Sequence, residues 1–331
     1  MTDTTRRNLM LAGAATTIAL SLSGQASALP KAKNLENQSI LITGASSGFG
    51  YLGTLHYARL GAKVIASMRN LPRAEADDLL QIANSENLDI HVVEIDVTKD
   101  ESAAKGFQEA VQLCGGVPDV LINNAGIAIV GPLEAQDMDA TKLAYDTNVF
   151  GYQRLLRQAL PEMRKRKSGH IINVSSQSGR VIWPGIGHYC PTKFAIEAMS
   201  ETLAYEVAQF NVDVTVIQPG GYPTKFWPTR EILTAALKNR SDEAHLDGYG
   251  NMSADMGSGK IPNLNGDPMD VPNAIANAIA MPAKSRPFRV MVSSSGHPQA
   301  SINEANRNQH LKFLGRGPFK DAVQYVYRSN V

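Results

Sequence analysis

Tyr189 and Lys193 stand four residues apart in the run Tyr189-Cys190-Pro191-Thr192-Lys193. On a helix that spacing puts both side chains on one face, a turn apart. A free phenol has a pKa of about 10, too high for a base near neutral pH. A lysine ammonium a few ångströms away stabilises the phenolate and lowers that value. Such a pair can take a proton from a hydroxyl, or give one to an oxygen on which charge is developing. Ser176 lies upstream, just past a predicted strand, and its hydroxyl can donate to the same oxygen. Its neighbours Ser175 and Ser178 are weaker candidates. Asn148 falls inside a predicted helix, where asparagine is mildly unfavourable, so the position asks for a reason. Tyr-x-x-x-Lys alone recurs by chance; the surrounding elements must give it meaning.

Those elements alternate. Strands are predicted over 39–43, 63–67, 90–95, 120–122, 170–174, 212–217 and 288–292. Helices are predicted over 49–59, 101–114, 138–163 and 189–210, the last beginning at Tyr189. Short apolar runs alternating with helices imply a doubly wound parallel sheet of about seven strands, Rossmann-like, with helices on both faces. Between the first strand and first helix lies Thr43-Gly44-Ala45-Ser46-Ser47-Gly48-Phe49-Gly50. Glycines there allow a tight turn and close backbone approach. The helix start offers free N–H groups and partial positive charge to a pyrophosphate. The end of the second strand, Ile65-Ala66-Ser67-Met68-Arg69-Asn70, has Met68 where an acid would bond the ribose hydroxyls of NAD, followed by Arg69. A guanidinium there can take the 2′-phosphate of NADP in bidentate fashion, so NADP is the expected cofactor, with NAD the alternative.

The turn reads G-x-x-x-G-x-G. With Asp96-Val97 after the third strand, Asn123-Asn124-Ala125-Gly126 after the fourth, Ser176 after the fifth, Tyr189/Lys193, and Pro219-Gly220-Gly221-Tyr222-Pro223-Thr224 after the sixth, it resembles the short-chain dehydrogenase/reductase family over roughly residues 37–295. The resemblance implies hydride transfer between a nicotinamide and a secondary alcohol or carbonyl carbon. It implies a catalytic set of Asn148, Ser176, Tyr189 and Lys193, with Asn148 holding a water that links the lysine to solvent. It implies dinucleotide contacts from Gly44, Ser46, Ser47, Gly48, Phe49, Gly50, Arg69, Asp96, Val97, Asn124, Ala125, Gly126, Tyr189, Lys193, Pro219, Gly220 and Thr224. Thr224 would bond the nicotinamide carboxamide. It also implies a homodimer or homotetramer packed through the helices near 138–163 and 189–210.

Trp183, His188, Tyr222, Phe226 and Trp227, together with Ser176, are expected to line the substrate pocket. That lining suggests a hydrophobic ketone or alcohol. The interval 222–265 breaks the strand–helix rhythm, with one helical piece at 229–239, and is expected to be a substrate lid. Two rival readings differ in class. A non-catalytic dinucleotide-binding regulator on the same scaffold would be expected to lose Tyr189 or Lys193. A longer-chain epimerase or dehydratase would be expected to carry G-x-x-G-x-x-G in the first turn.

The chain has 331 residues, 43% hydrophobic, with a formal net charge of +1, so no global field calls for nucleic acid or an anionic membrane. Its two cysteines, Cys114 and Cys190, have no metal-ligand spacing and read as ordinary thiols. Arg6-Arg7, an uncharged stretch over 11–24 and Ala26-Ser27-Ala28 read as a twin-arginine-type export signal removed at 28. That would leave one domain over 29–331, periplasmic and without a stable membrane anchor. It would be cytoplasmic if the signal does not function.

Overall fold

The computed structural model describes residue 32 and residues 34–328; residues 1–28, expected to be an export signal, lie outside them. Seven strands form one parallel sheet in the order β3-β2-β1-β4-β5-β6-β7. They are β1 (Ser39–Thr43), β2 (Lys63–Met68), β3 (Ile90–Glu94), β4 (Val120–Asn123), β5 (Gly169–Val174), β6 (Val212–Pro219) and β7 (Arg289–Val292). The helices are α1 (Gly48–Arg59), α2 (Ala74–Glu86), α3 (Asp100–Cys114), α4 (Met138–Tyr145), α5 (Gly151–Arg166), α6 (Tyr189–Val207), α7 (Phe226–Lys238), α8 (Asn251–Ala254), α9 (Asp270–Ala280), α10 (Ala300–Phe313) and α11 (Lys320–Val326). The fold is the Rossmann-like one expected.

Strand alternation builds two cores. Ile40, Ile42, Val64, Ala66 and Ile122 point to one face, where α1, α2 and α9 pack with Leu55, Leu79 and Ile275. Leu41, Ile65, Leu121 and Ile171 point to the other, against Phe107, Leu155 and Leu203 of α3, α5 and α6. Every residue of β4, β5 and β6 is buried, as strands covered on both faces must be. Sequence order reverses at the β1–β4 pair, and that switch point is where open α/β sheets bind ligands, beyond the strands' carboxyl ends.

Two points differ from expectation. Helix α2 was not foreseen: its buried positions are Ala76, Leu79 and Ala83, a thin stripe of mostly small residues. The single helix expected over 138–163 is broken by a π turn, Asp146–Phe150, between α4 and α5. Helices α10 and α11 follow β7 and pack on α6 through Leu311, Val323 and Val326, within the single domain expected over 29–331.

The segment after β6 is ordered by a small core of its own. Leu237 of α7 and Met256 are buried with Ile129, Ala135 and Ala140, and Val130 N–H donates to Thr234 Oγ1 at 3.1 Å.

Candidate active site

The ends of β1 and β4 are stitched together at the switch point. Thr43 Oγ1 accepts the backbone N–H of both Asn124 and Ala125, each at 3.0 Å. Asn124 Nδ2 returns a bond to Thr43 O at 2.8 Å. The glycine turn is pressed against this seam. A Cβ on Gly44 would lie 2.9 Å from Ala125 Cα, and Gly44 itself has φ +70°, the left-handed region. A Cβ on Gly50 would run into Gly44 O and lie 2.7 Å from Asn124 Nδ2. Ser47 is the N-cap of α1 with no side-chain cap bond, and the first turn holds no acidic residue. That leaves an anion cradle in the expected place. A Cβ on Gly48 would sit 3.7 Å from Thr224 Oγ1, so the turn after β6 arches over the glycine turn. These features fit a dinucleotide: pyrophosphate at Ser46–Gly50, nicotinamide near Thr224.

On the adenine side, Asp96 accepts Thr98 N–H at 3.0 Å and Thr98 Oγ1 at 2.7 Å. Burial works to raise its pKa, but the two Thr98 bonds, with Lys99 and Arg69 nearby, leave it below the usual carboxylate range. Val97 is buried, walled by Gly151 of α5, where a Cβ would lie 2.9 Å from Val97 Cβ. At Gly220 the place of a Cβ is filled by Ser293 Oγ at 2.5 Å, and its N–H donates to Val292 O at 2.8 Å. Pro219 is the last residue of β6, paired with Val292.

Tyr189 opens α6 and Lys193 follows one turn later, with the ammonium 5.7 Å from the phenol ring centroid. Lys193 is buried and donates to Val174 O at 3.0 Å, a carbonyl that also accepts Tyr152 OH at 3.0 Å. Burial pulls the lysine down to about 7, with Glu197 pulling the other way. Burial pushes the Tyr189 phenol up to about 12, with the Ser176 hydroxyl beside it pulling back. Ser176 caps the short turn Gln177–Gly179, accepting Ser178 N–H at 3.1 Å, which leaves its own O–H free to donate elsewhere. Gly126 lies between the seam and this pair: a Cβ there would be 3.4 Å from Asn148 Oδ1 and 3.6 Å from Lys193 Nζ.

Asn148 sits in the π turn, fully buried. Its amide is consumed locally: Oδ1 accepts Ile127 N–H at 2.8 Å, and Nδ2 donates to Ile127 O at 2.9 Å and to Thr192 Oγ1 at 3.0 Å. The side chain thus clamps the irregular segment following Gly126 to α6. Thr192 was missed by the sequence reading, although its place beside Lys193 in the motif could have flagged it.

The expected pocket residues divide. Phe226 approaches Tyr189 with ring centroids 5.8 Å apart, and Trp227 stacks edge-on against Phe226 at 5.7 Å. Trp183 is 46% exposed. His188 lies against Tyr145, with centroids 5.7 Å apart; burial lowers its pKa, and Nδ1 has no partner among the described residues. Tyr222 is a correction. It is 2% exposed, its ring meets Phe49 at 5.7 Å and its hydroxyl donates to Asp270 at 3.2 Å, so it belongs to the core.

A family model described as short chain dehydrogenase matches residues 38–231. The chain belongs to the short-chain dehydrogenase family. Among relatives, retinol dehydrogenase 8 of Bos taurus is 38% identical over 196 residues, covering 57% of this chain and 60% of that protein. The 3-ketodihydrosphingosine reductase of Bacteroides thetaiotaomicron is 37% identical over 206 residues, covering 62% of this chain and 71% of that one. A short-chain dehydrogenase from Streptomyces avermitilis superposes with a TM-score of 0.64 at 27% identity, covering 85% of this chain and 98% of the other. The chain spans only 60% of the length of the retinol dehydrogenase it matches. Arg289 and Asn303 lie beyond the residues that the family model matches.

Proposed function

We propose that this short-chain dehydrogenase family member interconverts a hydrophobic secondary alcohol and its ketone or aldehyde, using NADP(H) in preference to NAD(H). The observation that carries the reading is the convergence of Ser176, Tyr189 and Lys193 beyond β5, beside a glycine turn in which a Cβ at Gly44 or Gly50 has no room. When bound, a nicotinamide supplies the hydride acceptor or donor. The Tyr189 phenolate takes the proton from the alcohol in oxidation, and the Tyr189 phenol gives it to the oxygen of the carbonyl in reduction. Ser176 Oγ–H donates to that oxygen and steadies the charge on it. Lys193, charged, favours the phenolate and would hold the ribose hydroxyls of the bound cofactor. Asn148 acts through the Ile127 backbone and Thr192, holding Gly126 and α6 in register.

Preference for NADP rests on Arg69, whose field reaches Asp96 at the adenine end, with no acid at Met68. The hydrophobic substrate rests on Phe226 against Tyr189, with Trp227 behind it, and on likeness to proteins named for retinol and 3-ketodihydrosphingosine. Keeping both Tyr189 and Lys193 favours an enzyme over a non-catalytic regulator. The lid is the 222–265 interval of one domain over 29–331. A groove between α5 and α6, lined by Leu160, Pro161, Leu203, Val207 and Phe210, supports a dimer or tetramer through those helices. No helix among the described residues is long and apolar enough to cross a membrane. Periplasmic location rests on the residues 1–28 pattern, and cell fractionation checks it.

A panel of hydrophobic ketones and secondary alcohols with NADPH, NADH and both oxidised forms tests the proposal. Turnover led by NADP(H) on apolar substrates is expected. Absence of turnover with every nucleotide, in protein that binds them, would remove the catalytic reading in favour of the regulator.

A further inference from the structure

Lys193 and Glu197 are both buried, one turn apart on α6. The carboxylate is gripped from two strands: Arg289 Nε of β7 lies 2.8 Å from Oε2, and Gln218 Nε2 of β6 donates to Oε1 at 2.8 Å. The guanidinium also meets Glu201 at 2.9 Å. Gln218 is held in turn by Asn303 of α10, whose Nδ2 donates to Gln218 Oε1 at 2.8 Å. Asn303 Oδ1 accepts Arg180 Nε at 3.0 Å, and Arg180 is the residue that ends the Ser176 turn. The same turn lies flat on α6 here: a Cβ on Gly179 would be 2.9 Å from Glu197 Cγ and 3.1 Å from Lys193 O.

A buried ion pair is weak evidence of stabilisation, because well-packed apolar residues of like volume often serve as well. Its place needs another reason. Burial favours a neutral lysine, and a neutral lysine cannot stabilise a phenolate; a nearby carboxylate restores the charged form. A loose carboxylate would instead draw the ammonium off Val174 O and away from Tyr189. The fork of Arg289 keeps the carboxylate where it is.

We infer that Glu197 is a positioning residue for Lys193, a carboxylate locked by Arg289 and Gln218 one turn beyond the lysine so that the ammonium stays charged and directed at Tyr189. Asn303 of α10 extends the same lock to the Ser176 turn. The inference rests on the reading of Tyr189 and Lys193 as the proton-transfer pair. The groups facing Lys193 are Tyr189 and Glu197 on its own helix and Tyr152 on α5, which shares the Val174 carbonyl. Those facing the Glu197–Arg289 pair are Arg180, Glu201 and Tyr327, with His310 on the far side of Glu201.

The ionisation of Lys193 is followed by 13Cε NMR of lysine-labelled protein, assigned with Lys193→Met. This needs no turnover, so its failure is separate from failure of the catalytic reading. Glu197→Gln is expected to lower the Lys193 midpoint by about one pH unit. In active protein it moves the pH limb of oxidative kcat/KM to lower pH as well, whichever member of the pair releases the proton. Glu201→Gln also takes a carboxylate from Arg289, but a turn further from the lysine, and is expected to leave both midpoints in place. Arg289→Lys keeps the charge, loses the fork, and frees Glu197 towards the ammonium, raising the midpoint; it decides the matter if Glu197→Gln does not fold. An unmoved midpoint in Glu197→Gln, an equal shift in Glu201→Gln, or no rise in Arg289→Lys overturns the inference.

Discussion

Replacing Thr43 by valine keeps the shape of a 1% exposed side chain and removes the acceptor for two backbone N–H groups, those of Asn124 and Ala125. A buried donor left unpaired costs about 1–3 kcal/mol. Both residues are only partly buried, so water reaches the seam in part and the lower half of that range applies. The loss for the two together is then about 2–4 kcal/mol. Thr43→Ser is the control: it keeps the acceptor and loses one buried methyl, about 1 kcal/mol. Urea unfolding of the three proteins, read by far-UV circular dichroism, gives both differences. The seam also sets the wall against which Gly44 turns, with Ala125 Cα 2.9 Å from the place of a Gly44 Cβ. Nucleotide affinity, read by quenching of intrinsic fluorescence, should therefore fall in the valine variant more than in the serine one. Equal stability and equal affinity in Thr43→Val and Thr43→Ser would refute the claim that this hydroxyl ties β1 to β4 at the binding edge.

Gly50→Ala drives a methyl into Gly44 O and Asn124 Nδ2, so nucleotide affinity should drop by more than about tenfold, a loss of 1.4 kcal/mol or more, seen by calorimetric titration. Arg69→Ala should raise the KM for NADPH by about tenfold and leave that for NADH nearly unchanged, because only the 2′-phosphate loses its bidentate partner; equal effects on both would show that Arg69 is merely solvated. Tyr222→Phe should cost about 1 kcal/mol in unfolding through the lost Asp270 bond and leave kcat near the parent value.

The sheet and the catalytic helix were legible because their signals are local. Buried parallel strands must be continuous apolar runs, and the glycine turn, Ser176, Tyr189 and Lys193 each stand at a strand end or helix start that punctuation residues mark. Helix α2 was not, since Ala76 and Ala83 carry little hydrophobic signal on a charged helix. The π turn was invisible because buried positions recur every three or four residues straight through it, at Ala140, Ala144, Asn148, Tyr152 and Leu155. Tyr222 was assigned to the pocket by its neighbourhood in sequence, but direction along a loop is set by tertiary packing, here against Phe49 and Asp270. Glu197 left a faint sign: Lys193, Glu197 and Glu201 recur every fourth residue on one helix face, which is charge on a side that should be apolar. The partner that explains it, Arg289, lies far along the chain, where no spacing rule reaches.

The most direct measurement compares turnover of wild-type protein and Tyr189→Phe on the ketone and alcohol panel, with nucleotide binding measured in parallel. Without the phenolic oxygen the proton has no donor or acceptor, so the rate is expected to fall by at least about 100-fold while the nucleotide still binds. Full turnover in Tyr189→Phe would contradict the assignment of Tyr189 as the group that moves the proton.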